Sequence, residues 1–132
     1  MGGAQNHRMR LDDGVLIKDN HVAVCGGVAQ AVERAKAADT GLAVQVEVDR
    51  IDQIEPALRA GADRLLLDNM PPHVLREAVA LVAKRVPLEA SGGVTLETIQ
   101  AIAQTGVDFI SVGRITQSAP AVDIGMDYAL QQ

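Results

Sequence analysis

Aromatic residues are nearly missing from this chain, which has one Phe, one Tyr and no Trp among 132 residues. Its core must therefore be packed from Val, Leu, Ile, Ala and Met. The scarcity argues against single-stranded nucleic-acid binding, which uses aromatic side chains as stacking platforms. Cysteine is scarce too. Cys25 stands alone, so no disulfide can form within the chain, and a cytoplasmic setting is expected. Its neighbours Val24 and Gly26 offer nothing that would stabilise a thiolate. No apolar run approaches the roughly 20 residues of a membrane helix, so no membrane association is expected. The opening MGGAQNHR does not read as a signal peptide, and Asn6 stands where a myristoylation signal carries Ser or Thr. Positive charge is in deficit, with 12 Lys and Arg against 17 Asp and Glu, a formal net charge of -5. That balance argues against a general nucleic-acid surface but leaves room for a local site that takes a small anion.

The length suits one domain, residues 1–132, with a real core. Apolar runs alternate with amphipathic segments along it. The runs are VLIK (Val15–Lys18), AVQVEV (Ala43–Val48), RLLLD (Arg64–Asp68), PLEAS (Pro87–Ser91) and FISVG (Phe109–Gly113). Between them, helical spacing of apolar residues predicts helices over Val28–Ala38, Ile51–Ala60, His73–Arg85 and Leu96–Gln104. Pro71 and Pro72 suit a first helical turn, and Thr95 reads as an N-cap with Glu97 in the electropositive first turn. An internal echo links Ala60-Gly61-Ala62-Asp63 with Thr105-Gly106-Val107-Asp108, each placing Gly where a helix ends before a strand. Strands alternating with helices on short connections predict right-handed βαβ units and a parallel sheet. Pattern alone leaves a flavodoxin-like arrangement and a partial barrel both open.

In parallel α/β folds, ligands bind at the carboxyl ends of the strands. There the first run carries Lys18, Asp19 and Asn20, the second Glu47 and Asp49, and the third Asp68 and Asn69. The fourth ends in Ser91, Gly92 and Gly93, and the fifth in Gly113 and Arg114. Glu47 stands inside an apolar run, on the face opposite Val44, Val46 and Val48. An unpaired carboxylate in a covered sheet is costly, and a metal, a lysine or a ribose hydroxyl would relieve it. Glu47 with Asp68 could hold a divalent cation or ribose hydroxyls. Glycines at the last two strand ends let backbone N–H groups approach a phosphate. His7, Arg8 and Lys18 could take carboxylates or phosphate. A second histidine, His21, reads as structural, and His73 as an exposed residue near a helix start.

In order, NHR (Asn6–Arg8), LIKDNH (Leu16–His21), VEV (Val46–Val48), LLLDNM (Leu65–Met70), EASGGVTLETI (Glu89–Ile99) and TGVDFISVG (Thr105–Gly113) resemble the quinolinate phosphoribosyltransferase family. The resemblance covers nearly the whole chain. It implies phosphoribosyl transfer from phosphoribosyl pyrophosphate to quinolinate, with decarboxylation to nicotinate mononucleotide in NAD biosynthesis, and Mg²⁺ as cofactor. It implies that His7 and Arg8 hold the quinolinate carboxylates, and that Lys18, with Asp19 beside it, lies between quinolinate and the donor. Glu47 and Asp68 would meet ribose hydroxyls or the metal-linked pyrophosphate and support positive charge at the anomeric carbon. Ser91, Gly92, Gly93 and Gly113 would cradle the 5′-phosphate. Gln117, in the stretch Ile115-Thr116-Gln117-Ser118, stands where the family usually carries His; it can still donate to phosphate but brings no charge.

The family carries an N-terminal domain and opening barrel strands before the NHR segment, and here Met1 lies close to that segment. The expectation is therefore an open or partial α/β barrel, TIM-barrel-like, of about five strands. Five strands do not close an eight-stranded barrel, and their unpaired edges invite association into a dimer or higher homo-oligomer. A non-catalytic half-barrel that binds a phosphorylated ligand or a partner is the alternative.

Overall fold

Five short strands alternate with helices from end to end: β1 (Val15–Ile17), α1 (Asp19–Cys25), α2 (Val28–Ala37), β2 (Val44–Val48), a 3-10 turn (Ile51–Gln53), α3 (Ile54–Arg59), β3 (Arg64–Asp68), α4 (Pro72–Val82), β4 (Leu88–Ser91), α5 (Ile99–Ala103), β5 (Phe109–Ile110) and α6 (Arg114–Gln117). This computed structural model describes residues 3–10, 12–117, 121, 122 and 124. All neighbouring strands are parallel, in the order β1-β2-β3-β4-β5. That order decides between the two arrangements left open by the pattern. A doubly wound sheet reverses its strand order at a switch point, whereas here each strand lies beside its sequence neighbour. Right-handed crossovers that always advance in one direction put every connecting helix on one face. The sheet is a run of barrel type, with an outer face under the helices and an inner face.

The outer face is the core. Along β2, Val44, Val46 and Val48 are buried, while Gln45 and Glu47 between them are half-buried. Leu65 and Leu67 of β3 and Leu88 and Ala90 of β4 continue the apolar layer. Against it pack Val28, Ala31 and Val32 of α2, Ile54 and Ala57 of α3, and Leu75, Ala78 and Val82 of α4. The helix positions recur at three- and four-residue spacing, so one stripe of each helix meets the sheet. Each buried Val, Leu or Ile contributes about 1.5–3 kcal/mol, which is how a core with so few rings suffices.

The echo between Ala60–Asp63 and Thr105–Asp108 is a repeated structural joint. Gly61 and Gly106 both take left-handed backbone, at φ 93° and 91°. The following Asp63 donates its N–H to the Val44 carbonyl at 2.9 Å and accepts the Val44 N–H at Oδ2, 2.7 Å. Asp108 treats Leu88 the same way, both bonds at 2.9 Å. Each carboxylate also takes a lysine from the segment that leads into the strand it closes, Lys36 before β2 on Asp63 and Lys84 before β4 on Asp108. The first hydrogen bond of a strand is thereby closed by the aspartate that opens the next strand.

Several elements differ from their expected bounds. The run LIKDNH is not a long strand tip. Pairing stops at Ile17, Lys18 is the extended N-cap, and Asp19 already begins α1. His21 sets the turn by accepting the Lys18 N–H at Nδ1, 3.0 Å away, so it is the structural residue expected of it. The helix expected over 51–60 opens with a 3-10 turn, and α4 ends at Val82 because Ala83 and Lys84 turn left-handed. The helix expected from Leu96 begins at Ile99. Thr98 rather than Thr95 is its N-cap, and Thr98 Oγ1 accepts the Thr95 N–H at 2.9 Å. FISVG pairs as a strand only at Phe109 and Ile110, and Arg114–Gln117 forms a short helix that the sequence pattern did not suggest.

Candidate active site

Register brings the inner-face side chains into rows. Glu47 of β2 is level with Leu66 of β3, Leu66 with Glu89 of β4, and Glu89 with Phe109 of β5. One step toward the carboxyl ends, Asp68 is level with Ser91. Below, Leu16, Gln45 and Arg64 form another row. Apart from Leu16, Leu66 and Phe109, these inner-face side chains are polar, in contrast to the valine and leucine layer on the outer face. The single Phe, Phe109, carries the Arg64 guanidinium over its ring at 5.0 Å.

At the carboxyl ends of β1, β2 and β3 lies an acidic cluster around Glu47, with Lys18 beside it and Arg50 on Asp49. Burial pushes the half-buried Glu47 carboxyl above its ordinary value, and the negative charges of Asp68, Asp19 and Asp49 push the same way. Lys18 pulls it down. Lys18, Asp19 and Asp68, at adjacent strand ends, thus all act on the Glu47 carboxyl. A carboxylate held among other carboxylates favours any cation or hydroxyl donor that enters. Asp68 is fixed by the neighbouring Asn69, whose Nδ2 donates to Asp68 Oδ2 at 2.7 Å. Among the described residues no group of three or more metal-type side chains converges. Glu47 and Asp68 are the pair available to Mg²⁺, and that ion commonly takes one or two carboxylates and completes its shell with water and phosphate oxygens. The donor set therefore fits.

The second part of the site lies at the ends of β4 and β5. A cleft of ≈ 350 Å³ is lined by Ser91, Gly92, Gly93, Val94, Thr95, Ser111, Gly113, Arg114 and Gln117. All five residues expected to hold phosphate line it. Gly92 is obligatory there. Its φ is 90°, and an added Cβ would lie 2.1 Å from Asn69 Oδ1 and 2.9 Å from the Asn69 nitrogen. Asn69, itself left-handed at φ 53°, donates its N–H to the Ser91 carbonyl at 2.9 Å, so β3 and β4 end in one interlocked turn. Gln117 folds back over Gly113, where an added Cβ would meet its Nε2 at 3.1 Å. A larger cleft, ≈ 460 Å³, opens beside Ala43, Val44 and Asp63. Those residues lie at the amino ends of β2 and β3, away from the acidic cluster, and the Lys36–Asp63 ion pair occupies its wall.

The N-terminal segment supplies the third part. His7 Nδ1 lies 2.9 Å from Glu89 Oε1. The same Oε1 accepts the Ser111 hydroxyl, and Oε2 accepts Gln45 Nε2 at 2.7 Å. Glu89 is 2% exposed. Burial alone would raise its pKa, but the hydrogen bonds from Ser111 and Gln45 and the charge of His7 outweigh it and hold the carboxyl below its ordinary value. Arg8, beside His7, is exposed. Ser118 lies outside the described residues.

Sequence reasoning gave no role to Glu89, Gln45 or Ser111, and named Arg114 only as a residue at the end of the fifth run. The signal for Glu89 was available, because a carboxylate interrupts PLEAS just as Glu47 interrupts VQVEV. Arg114 was legible as a strand-end residue, and the short helix α6 that it opens sets it in the lining of the cleft. At Cys25 the sequence showed no partner, but Arg34 Nη1 lies 3.5 Å from its Sγ.

Comparison with known proteins places this geometry. A family model described as quinolinate phosphoribosyl transferase, C-terminal domain, matches residues 1–127. A probable nicotinate-nucleotide pyrophosphorylase [carboxylating] of Bacillus subtilis is 43% identical over 130 residues, covering 98% of this chain and 45% of the relative. The nicotinate-nucleotide pyrophosphorylase [carboxylating] of Homo sapiens is 42% identical, covering 96% and 44%. The solved nicotinate-nucleotide pyrophosphorylase from Francisella tularensis superposes with a TM-score of 0.84 at 46% identity, over 92% of this chain and 44% of that one. The chain spans about half the length of the curated relatives it matches.

Proposed function

The chain belongs to the quinolinate phosphoribosyl transferase family, as its C-terminal domain, and from that premise we propose that it carries the transfer site for phosphoribosyl pyrophosphate and quinolinate. The reaction joins the pyridine nitrogen to the anomeric carbon of the donor, expels pyrophosphate and releases carbon dioxide, giving nicotinate mononucleotide for NAD biosynthesis. The observation that carries the proposal is the convergence of an acidic pair, Glu47 and Asp68, with a glycine-walled cleft on adjacent strand ends.

Each part of the site has work suited to its chemistry. Gly92, Gly93 and Gly113, with the Ser91 hydroxyl, let backbone N–H groups approach the donor's 5′-phosphate closely. Arg114 adds a cation to that cleft, which offsets the neutral Gln117. Glu47 and Asp68 face the ribose, where positive charge grows at the anomeric carbon as pyrophosphate leaves. Fixed carboxylates beside that carbon stabilise the charge without reorganising at the moment of reaction. Mg²⁺, held by the same two side chains, would neutralise the departing pyrophosphate. His7, Arg8 and Lys18 meet the two quinolinate carboxylates, and Lys18, within reach of Glu47's field, lies where acceptor and donor come together. The partners are these two small molecules and a second copy of the chain, in a cytoplasmic setting.

The test is product formation. With phosphoribosyl pyrophosphate, Mg²⁺ and carboxyl-labelled quinolinate, the protein should release labelled carbon dioxide and form nicotinate mononucleotide in equal amounts. Binding of the donor with no release of carbon dioxide would replace transfer by binding alone.

A further inference from the structure

Glu89 is the most buried carboxylate among the described residues, and no step of the transfer uses it. Its surroundings come from three places: Gln45 from β2, Ser111 from the end of β5, and His7 from the N-terminal segment. Its side chain is 3% exposed, whereas that of His7 is 37% exposed. The histidine therefore meets the buried carboxylate through Nδ1 while its side chain stays partly open to solvent.

The proton positions follow from acceptor arithmetic. Ser111 and Gln45 both donate to Glu89, and those bonds hold the carboxyl ionised at neutral pH. An ionised carboxylate only accepts, so the His7 nitrogen facing it must carry the proton. Nδ1 is then the donor, and Nε2 makes no hydrogen bond to any described residue. We propose that Glu89 is a positioning residue: it docks the His7–Arg8 segment on the inner face and holds the His7 Nδ1–H on Oε1, so that Nε2, once it too carries a proton, donates to a carboxylate of the pyridine substrate. The inference rests on the transfer reading for the identity of that ligand, but not for the ring geometry. Gln45 and Ser111 act one step further back, by holding the Glu89 carboxylate in plane and ionised. Outer partners that orient a histidine are commonly worth roughly ten- to a hundredfold in the function of the group they hold.

The experiment has two readouts on the protein and on its Glu89→Gln and His7→Ala variants. The first is the tautomer of His7, read from long-range ¹H–¹⁵N correlation spectra at a pH where the ring is neutral. The protein should show the Nδ1–H form at His7, and Glu89→Gln should move it toward a mixture with Nε2–H. An unchanged tautomer would overturn the proposal. The second is affinity for each substrate. Glu89→Gln should weaken quinolinate roughly ten- to a hundredfold with phosphoribosyl pyrophosphate unaffected, and joining it with His7→Ala should add nothing. Equal losses for both substrates, or additive losses in the double variant, would make Glu89 a fold residue and overturn the proposal. His7→Ala leaves Glu89 its bonds to Gln45 and Ser111, so it serves as the folded control. A tautomer that switches in a protein with no affinity for quinolinate would sustain the ring geometry while removing the transfer reading.

Discussion

Glu47 and Glu89 sit level on one inner face, and their environments drive them apart. Glu89 is filled with donors and stays below its ordinary pKa, while Glu47 is half-buried among other carboxylates and stands above it. The sign for stability is opposite. A carboxylate whose folded pKa is raised costs stability once the pH rises through that value, and costs nothing below its unfolded value. Glu47→Gln should therefore raise the melting temperature near neutral pH, with the gain vanishing as the pH falls to about 4, while turnover falls by about a hundredfold or more. A lowered melting temperature at neutral pH would mark Glu47 as structural instead. Arg114→Ala should weaken the donor by about 1.5–3 kcal/mol, the usual worth of a hydrogen bond to a charged group, in isothermal titration. Unchanged affinity would take Arg114 out of the phosphate cleft. At this scale the sequence placed Lys18, Asp19, Glu47 and Asp68 at strand ends; the first two and Asp68 all act on the Glu47 carboxyl, and the glycines line one cleft. What escaped was the role of side chains whose partners are distant in sequence. Glu89 and His7 are 82 residues apart, and no local pattern announces such a bond.

Among the elements, the strands and helices were legible because apolar residues alternate along β2 and recur at helical spacing along α2 and α4. Boundaries were less so, because they depend on single bonds and backbone turns. The His21 ring ends β1 early by capping α1, and the left-handed pair Ala83–Lys84 ends α4. The paired joints at Asp63 and Asp108 are the strongest local devices outside the core. Lys36 and the Val44 N–H hold Asp63 below its ordinary pKa, and the Leu88 N–H and Lys84 do so for Asp108. A carboxylate with a lowered folded pKa stabilises above its unfolded value and loses that contribution as the pH falls through the folded value. Asp63→Asn and Asp108→Asn should each cost about 1 kcal/mol near neutral pH, most of it from the backbone bond because the lysine pairs are exposed. In urea melts the deficit should shrink toward zero below about pH 3. A deficit that persists in acid would assign the joints to packing rather than to charge.

At the scale of the whole molecule, the alternation of patterns implied a parallel sheet with connecting helices, but not the choice between barrel run and doubly wound sheet. Both arrangements are built from the same alternation of strands and helices, and the spatial order of the strands separates them. Among the described residues, β1 and β5 each pair on one side only. A sheet edge with free N–H and carbonyl groups recruits another strand, so the chain should sediment as a dimer or larger species at micromolar concentration. A monodisperse, thermally stable monomer would contradict that. On the proposed function, the five strand ends of this sheet assemble one donor site from an acidic pair and a glycine-walled cleft. Calorimetric titration with phosphoribosyl pyrophosphate and Mg²⁺, followed by quinolinate, tests it most directly. The donor should give saturable heat that is lost without Mg²⁺, and adding quinolinate should then give further heat. No heat from protein that circular dichroism shows to be folded would contradict it.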